Sequence, residues 1–250
     1  MILIKDAFAC DKPFTLRVGP EFSSSFMVDY LGAFTLSVAQ KVGCGTRIKG
    51  SKNYDEFLSD ILNQESDIFL VPSHFAWQLS QEGFIPVLER QSTTELIYIS
   101  SIRNIKHSPY GKQQLLHVYT PGPYLVDYLS ISNWLQEQQA TNIEHSFGHT
   151  YASAIMKAIK NPNVITSIPL GLLERLPQNI QNKLTVTHTG FKLGGYLLVK
   201  ANTSKAVIDA IHSSIGELKS EEWIRTNVVQ RSEFSQAFQE QYKQLKESRK

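Results

Sequence analysis

The stretch SKNYDEFLSDILNQESDIFLVPSHFAWQL, residues 51–79, decides the fold class. Asn53 followed by an acidic, apolar-periodic run to Gln64 has the form of a helix with an asparagine N-cap. DIFLVP (67–72) is apolar on successive positions, as a strand covered on both faces by other layers must be. SHFAWQLSQEG (73–83) reads as a second helix, capped by Ser73 and closed by Gly83. Helix, buried strand and helix in so few residues predict an α/β layer with a mainly parallel sheet.

The same grammar extends outward. TLRVGP (15–20) is a short strand ending in Gly-Pro, and the helix that follows the serines 23–25 keeps Met27, Tyr30, Leu31, Phe34, Val38 and Val42 at helical spacing, with Gly43 as its C-cap. TRIKGS (46–51), FIPVLER (84–90) and ELIYISS (95–101) are further strands. RNIKHSPYGKQ (103–113) interrupts the pattern with charge, Pro109 and Gly111. The pattern then restarts: LLHVYTP and NVITSIP are strands, NIEHSF is extended, and PYLVDYLSISNWLQEQQ and HTYASAIMKAIKN are helices. KLTVTHTG and GYLLVKA are strands, the second of which returns to the first lobe, and everything from Thr203 onward reads as helical. A restart after a charged loop predicts two lobes, residues 1–100 with 200–250 and residues 101–199. The chain is expected to cross near 96–106 and again near 190–200.

Composition bounds the function. The 250 residues are 42% hydrophobic and 19% charged, which is ordinary for a globular protein. Lys plus Arg outnumber Asp plus Glu by only 25 to 23, so no basic face for nucleic acid is expected. No stretch approaches the ~20 apolar residues of a spanning helix. Two cysteines, Cys10 and Cys44, make neither a zinc ribbon nor a disulfide scaffold, and the count favours two free thiols over a pair. Ala7-Phe8-Ala9 followed by Cys10 has the form of a lipid-anchored export signal whose beginning lies upstream; the alternative is an ordinary N-terminal segment. The first reading places the protein in the periplasm or anchored outside the inner membrane, the second in the cytoplasm. The motifs GxGxxG, GxxxxGK[ST], HExxH, CxxC and GxSxG are absent from the sequence.

Three segments carry a family resemblance: residues 51–79, HVYTPGPYLVDYL (117–129) and GHTYASAIMKAI (148–159) with NVITSIP after it. In this order they resemble the phosphonate-type substrate-binding proteins of ABC transporters, a branch of the type 2 periplasmic binding protein fold, over about residues 15 to 215. The resemblance implies two α/β lobes with a ligand cleft between them, non-catalytic capture of a small polar solute or oxyanion such as phosphonate or phosphate, no cofactor and no metal. Its implied partners are the small-molecule ligand and an ABC permease or membrane sensor, with the protein itself a monomer. A ligand-sensing module for a membrane receptor and a cytoplasmic enzyme on the same fold are the competing classes.

The candidate ligand-binding residues follow from strand ends and helix starts. Ser23, Ser24 and Ser25 offer hydroxyls at the first strand-to-helix turn, where one of them alone as an N-cap is the plainer reading. Tyr54 matches the family's cleft tyrosine, or packs on its own helix. Ser73 and His74 open the helix after the buried strand. Thr120, Gly122 and Tyr124 form the second-lobe turn, and His149 and Thr150 open the helix starting there. His145 and His149, four apart, are weighed as a metal pair and set aside for want of a third ligand. One departure bears on the ligand: the turn preceding the second-lobe helix is Thr120-Pro121-Gly122-Pro123-Tyr124, where the family has serine and threonine. Two prolines remove two N–H donors, which weakens the phosphonate expectation. Without an arginine clamp, anion affinity is expected to rise as His74 or His149 protonates, below about pH 6.5.

Overall fold

The computed structural model describes residues 12–20, 24–91, 94–101, 115–122, 126–148, 150–192, 194–218, 223–232 and 234–248. In chain order, β1 (Phe14–Val18) leads to α1 (Ser24–Phe26), which runs through a π turn (Met27–Leu31) into α2 (Gly32–Val42). There follow β2 (Thr46–Lys49), α3 (Tyr54–Leu62), β3 (Ile68–Pro72), α4 (Ser73–Gln81) and β4 (Ile85–Arg90). A second run comprises β5 (Glu95–Ser101), β6 (Leu116–Thr120), α5 (Val126–Glu137), β7 (Ile143–Phe147), α6 (Tyr151–Lys160) and β8 (Val164–Pro169). It continues with α7 (Leu170–Glu174), α8 (Gln178–Gln181) and β9 (Leu184–Lys192). Finally come β10 (Gly195–Val199), α9 (Lys205–Ser213), β11 (Trp223–Arg225) and α10 (Ser235–Ser248).

The chain forms two compact units, Met1–Gln91 with Gly194–Ser235 and Ser92–Leu193 with Gln236–Lys250. The second crossing, between Leu193 and Gly194, falls within the expected 190–200, while the first, between Gln91 and Ser92, comes before the expected 96–106. β5, expected in the first lobe, pairs antiparallel with β8 and β9 and so belongs to the second sheet. β10, inside the span 101–199, pairs with β3 and β4 in the first sheet, as the return of GYLLVKA requires. The last helix groups with the second unit, not the first. Strand pairing decides these memberships, and it is a long-range property that no local pattern encodes.

The first sheet has the order β11-β4-β10-β3-β1-β2 and the second β7-β6-β8-β5-β9. In each, the first strand of a parallel trio lies between the second and third: β1 between β2 and β3, β6 between β7 and β8. In each, an antiparallel strand from a distant part of the chain, β10 or β5, pairs with the third. The sheets are therefore mixed, not mainly parallel, and β11 replaces the helix expected over SEEWIRTN.

Alternation along the strands sorts the core. In the first unit Leu16, Val18, Ile68 and Leu70 pack in one cluster with Phe34 and Val38 of α2 and Ile211 of α9. On the opposite face Phe69 meets Phe84 edge-on at 5.5 Å. In the second unit Ile97, Ile99, Val164 and Ile168 pack with Ile155 and Ala158 of α6, while Tyr98, Val118 and Ile165 pack with Ile131 and Leu135 of α5. Each such large side chain removed from water stabilises the fold by about 1.5–3 kcal/mol. Asn53 caps α3 as read, accepting from the Glu56 N–H at 2.9 Å. Gly43 ends α2 at φ 68°, a left-handed position that glycine takes without a Cβ penalty. Ser73 does not cap α4: Pro72 holds the N-cap position and Ser73 is the first helical residue.

Candidate functional site

Strands running parallel present their C-terminal ends on one edge, and helix N-termini follow directly; this edge is where open α/β sheets bind ligands. In the first unit that edge carries Ser24 and Ser25, both exposed, after β1. Ser73 and His74 follow β3. Gly194, preceding the antiparallel β10, lies against Ser73: a Cβ there would stand 2.7 Å from the Ser73 Oγ. Tyr54 and His74 are buried, 4% and 2% exposed. Tyr54 packs edge-on against Phe57 and Phe75, with ring centroids 6.4 and 6.5 Å apart, and the His74 ring meets Phe75 at 4.7 Å. Both side chains therefore help build the wall beneath the edge.

One cationic side chain escaped the sequence reading. Arg17, in the middle of β1, is 0% exposed. Its Nη1 donates to the Gly50 carbonyl at 2.8 Å and its Nη2 to Glu56 Oε1 at 3.0 Å. Its Nε stands 2.8 Å from Asp60 Oδ2 as an ion pair whose N–H is not aimed along a hydrogen bond. The pattern TLRVG held the signal, a charged residue inside an apolar strand.

In the second unit the edge is polar and buried. Thr120, ending β6, is 0% exposed, and its Oγ1 has no hydrogen-bond partner among the described residues. Gly122 is buried beside it. Asp127, in the first turn of α5, is 1% exposed and accepts from the Tyr151 hydroxyl at 3.0 Å and from the Ser167 hydroxyl at 3.4 Å. Tyr98 and Ser130 hydroxyls lie 2.5 Å apart beneath the same helix. Asp127, Tyr151 and Ser167 were not singled out in the sequence. Asp127 sits among apolar helix positions and Ser167 in an apolar strand, which is the only local sign of a buried polar role.

Thr150 caps α6 with its Oγ1 accepting from the Ser153 N–H at 3.2 Å, so the helix opens at Tyr151, two residues later than a start at His149. His145 lies in β7, which removes the helical i, i+4 pairing with His149. Its ring meets Tyr128 at 5.1 Å, and burial holds its pKa below the ordinary histidine value. No group of three metal-ligating side chains occurs among the described residues. Cys44 is disulfide-bonded, which corrects the expectation of free thiols. Ser23, Tyr124, His149 and Cys10 lie outside the described residues, as does the loop read at 103–113.

No protein-family model matches the chain, and no curated protein matches it. Solved structures do. PhnD1 from Prochlorococcus marinus in complex with methylphosphonate superimposes with a TM-score of 0.69 at 10% identity, over 94% of this chain and 97% of that one. A binding-protein component of an ABC phosphonate transporter from Pseudomonas aeruginosa gives 0.67 at 10% identity, over 96% and 98%. MatC from Rhodopseudomonas palustris with bound malate gives 0.62 at 10% identity, over 95% and 99%. With two mixed α/β sheets here and near-complete coverage on both sides of these superpositions, the chain has the two-unit fold of the type 2 periplasmic binding proteins.

Proposed function

We propose that the protein is a solute-binding protein that captures a small polar molecule for an ABC transporter, without catalysing its conversion. The observation that carries this reading is the Thr120 hydroxyl, fully buried at a strand end with no partner among the described residues. A buried hydroxyl left alone costs about 1–3 kcal/mol, which a hydrogen bond to a captured solute recovers. The residues proposed to contact the solute are Thr120, Gly122, Tyr124, His149 and Thr150 of the second unit and Ser23, Ser24, Ser25, Tyr54, Ser73 and His74 of the first. Two of the structural neighbours hold small polar molecules: methylphosphonate in one, malate in another. A disulfide at Cys44 suits an oxidising compartment, as capture outside the cytoplasm requires.

Thermal unfolding in the presence of small carboxylates, phosphonates, sulfonates and amino acids tests this. A ligand at a hundred times its Kd stabilises by about 2.7 kcal/mol, which shifts the midpoint visibly. Turnover of a phosphoester or peptide by the purified protein overturns the reading.

A further inference from the structure

We infer that Thr120, Asp127 and Ser167 form a subsite in the second unit for a primary ammonium group, which makes the captured solute an amine-bearing molecule and not a bare oxyanion. The inference rests on the solute-capture reading and names the class of solute.

The three residues form one cluster. β6 and β8 are adjacent and parallel, with Val118 opposite Ile165. Carrying that register two residues forward sets Thr120 beside Ser167, on strands about 4.8 Å apart. Both side chains face the α5 layer, as Val118 and Ile165 do. Asp127, on the first turn of α5, joins the group through the 3.4 Å contact from Ser167 Oγ to its Oδ1. Tyr151 holds the other carboxylate oxygen at 3.0 Å and so fixes the plane of the carboxylate.

The chemistry of the cluster is that of acceptors. Ser167 spends its hydroxyl proton on Asp127 and keeps lone pairs to offer. Thr120 Oγ1 is uncommitted among the described residues. Asp127 is a carboxylate 1% exposed, and a contact of 3.4 Å is at the long end for a hydroxyl donor. A primary ammonium has three donors and no acceptor, and it matches one oxygen from each residue. A phosphonate dianion brings only acceptors and negative charge to the same place, where Pro121 and Pro123 have already removed two backbone donors.

Calorimetry and thermal shift on the whole chain, with the common amino acids, their deaminated counterparts such as propionate and lactate, and methylphosphonate, test the subsite. The expected result is binding of one or more amines, with the matching deaminated acid at least tenfold weaker. Asp127→Asn should weaken the amine at least tenfold. Thr120→Val keeps the shape of the side chain and removes only the unpartnered hydroxyl. It should unfold no earlier than the native chain yet bind the amine several-fold more weakly, a pairing that a purely structural role for Thr120 does not produce. Binding of methylphosphonate or a deaminated acid as tightly as any amine overturns the subsite while leaving solute capture intact, and so does unchanged amine affinity in Thr120→Val. Failure of all these probes to bind overturns solute capture and the subsite together.

Discussion

Arg17 on β1 reaches Glu56 on α3 at 3.0 Å from a position with no exposure at all, and this contact ties the helix layer to its strand. The same guanidinium pairs with Asp60 one turn further along α3, and Lys49 stands 3.8 Å from that carboxylate. The two acids differ in setting: the Glu56 side chain is 39% exposed and that of Asp60 is 8% exposed. Removing Arg17 therefore strands Asp60 far more than Glu56.

Arg17→Ala is expected to cost about 3–5 kcal/mol, the usual result of breaking a buried pair and leaving one charge behind. The double variant Arg17→Met with Asp60→Leu removes both charges and should recover much of that loss. Urea unfolding of the three proteins measures it. Equal loss in the single and double variants would show that packing of the guanidinium stem, and not charge, sets the cost.

Glu56 gives the acid limb of stability a sign. Hydrogen bonding from the Lys52 N–H, and then from Arg17, holds its pKa below the usual carboxylate value. A lowered folded-state pKa contributes stability that is present above the unfolded value near 4.5 and is lost as pH falls through the folded one. Asp60 runs the opposite way, since burial raises its pKa in spite of Arg17. Glu56→Gln should flatten the loss of thermal stability between pH 5 and 3. A steeper loss in that variant contradicts the assignment.

Gly148, between β7 and Thr150, has no room for a side chain. A Cβ there would lie 2.6 Å from two ring carbons of Tyr119, whose ring is also covered by the Lys157 ammonium at 4.7 Å. The Gly148 N–H donates to the Thr120 carbonyl at 2.8 Å, so the backbone cannot retreat without loosening the candidate site. Gly148→Ala is expected to destabilise by about 1–3 kcal/mol through overpacking. Adding Tyr119→Leu should relieve the strain, as chemical denaturation of both variants would show.

Local chemistry made much of this legible. The Asn53 cap, the Gly43 terminus and the buried strand 68–72 are written in short-range pattern, and each forms as read. Membership of β5 in the second sheet is not, because an apolar strand fits either sheet by local pattern, whereas the return of β10 to the first sheet follows the reading of GYLLVKA. Among the described residues, the polar edge of the second unit is legible in the sequence at Thr120, Gly122 and Thr150. Asp127 and Ser167 acquire their roles by facing one another across a helix and a strand forty residues apart, which spacing does not reveal. The reverse holds for Tyr54 and His74, whose positions at helix starts follow the sequence while their burial against Phe75 depends on tertiary packing.

Tyr196 provides a spectroscopic handle on the first unit. It lies on β10, flanked by β3 and β4, and is 2% exposed. Burial, reinforced by the neighbouring Glu89 carboxylate, pushes its phenol pKa up to about 12. The protonated phenol is thus the form the folded chain favours. Its contribution to stability is complete below the unfolded value near 10 and falls away as pH rises from 10 to 12. Among ten tyrosines, difference absorbance near 295 nm should show one titrating late, and Tyr196→Phe should remove that step alone. The same variant should lose less stability than the native chain between pH 10 and 12. If the late step persists without Tyr196, another buried phenol carries it, and the packing inferred for β10 has to be revised.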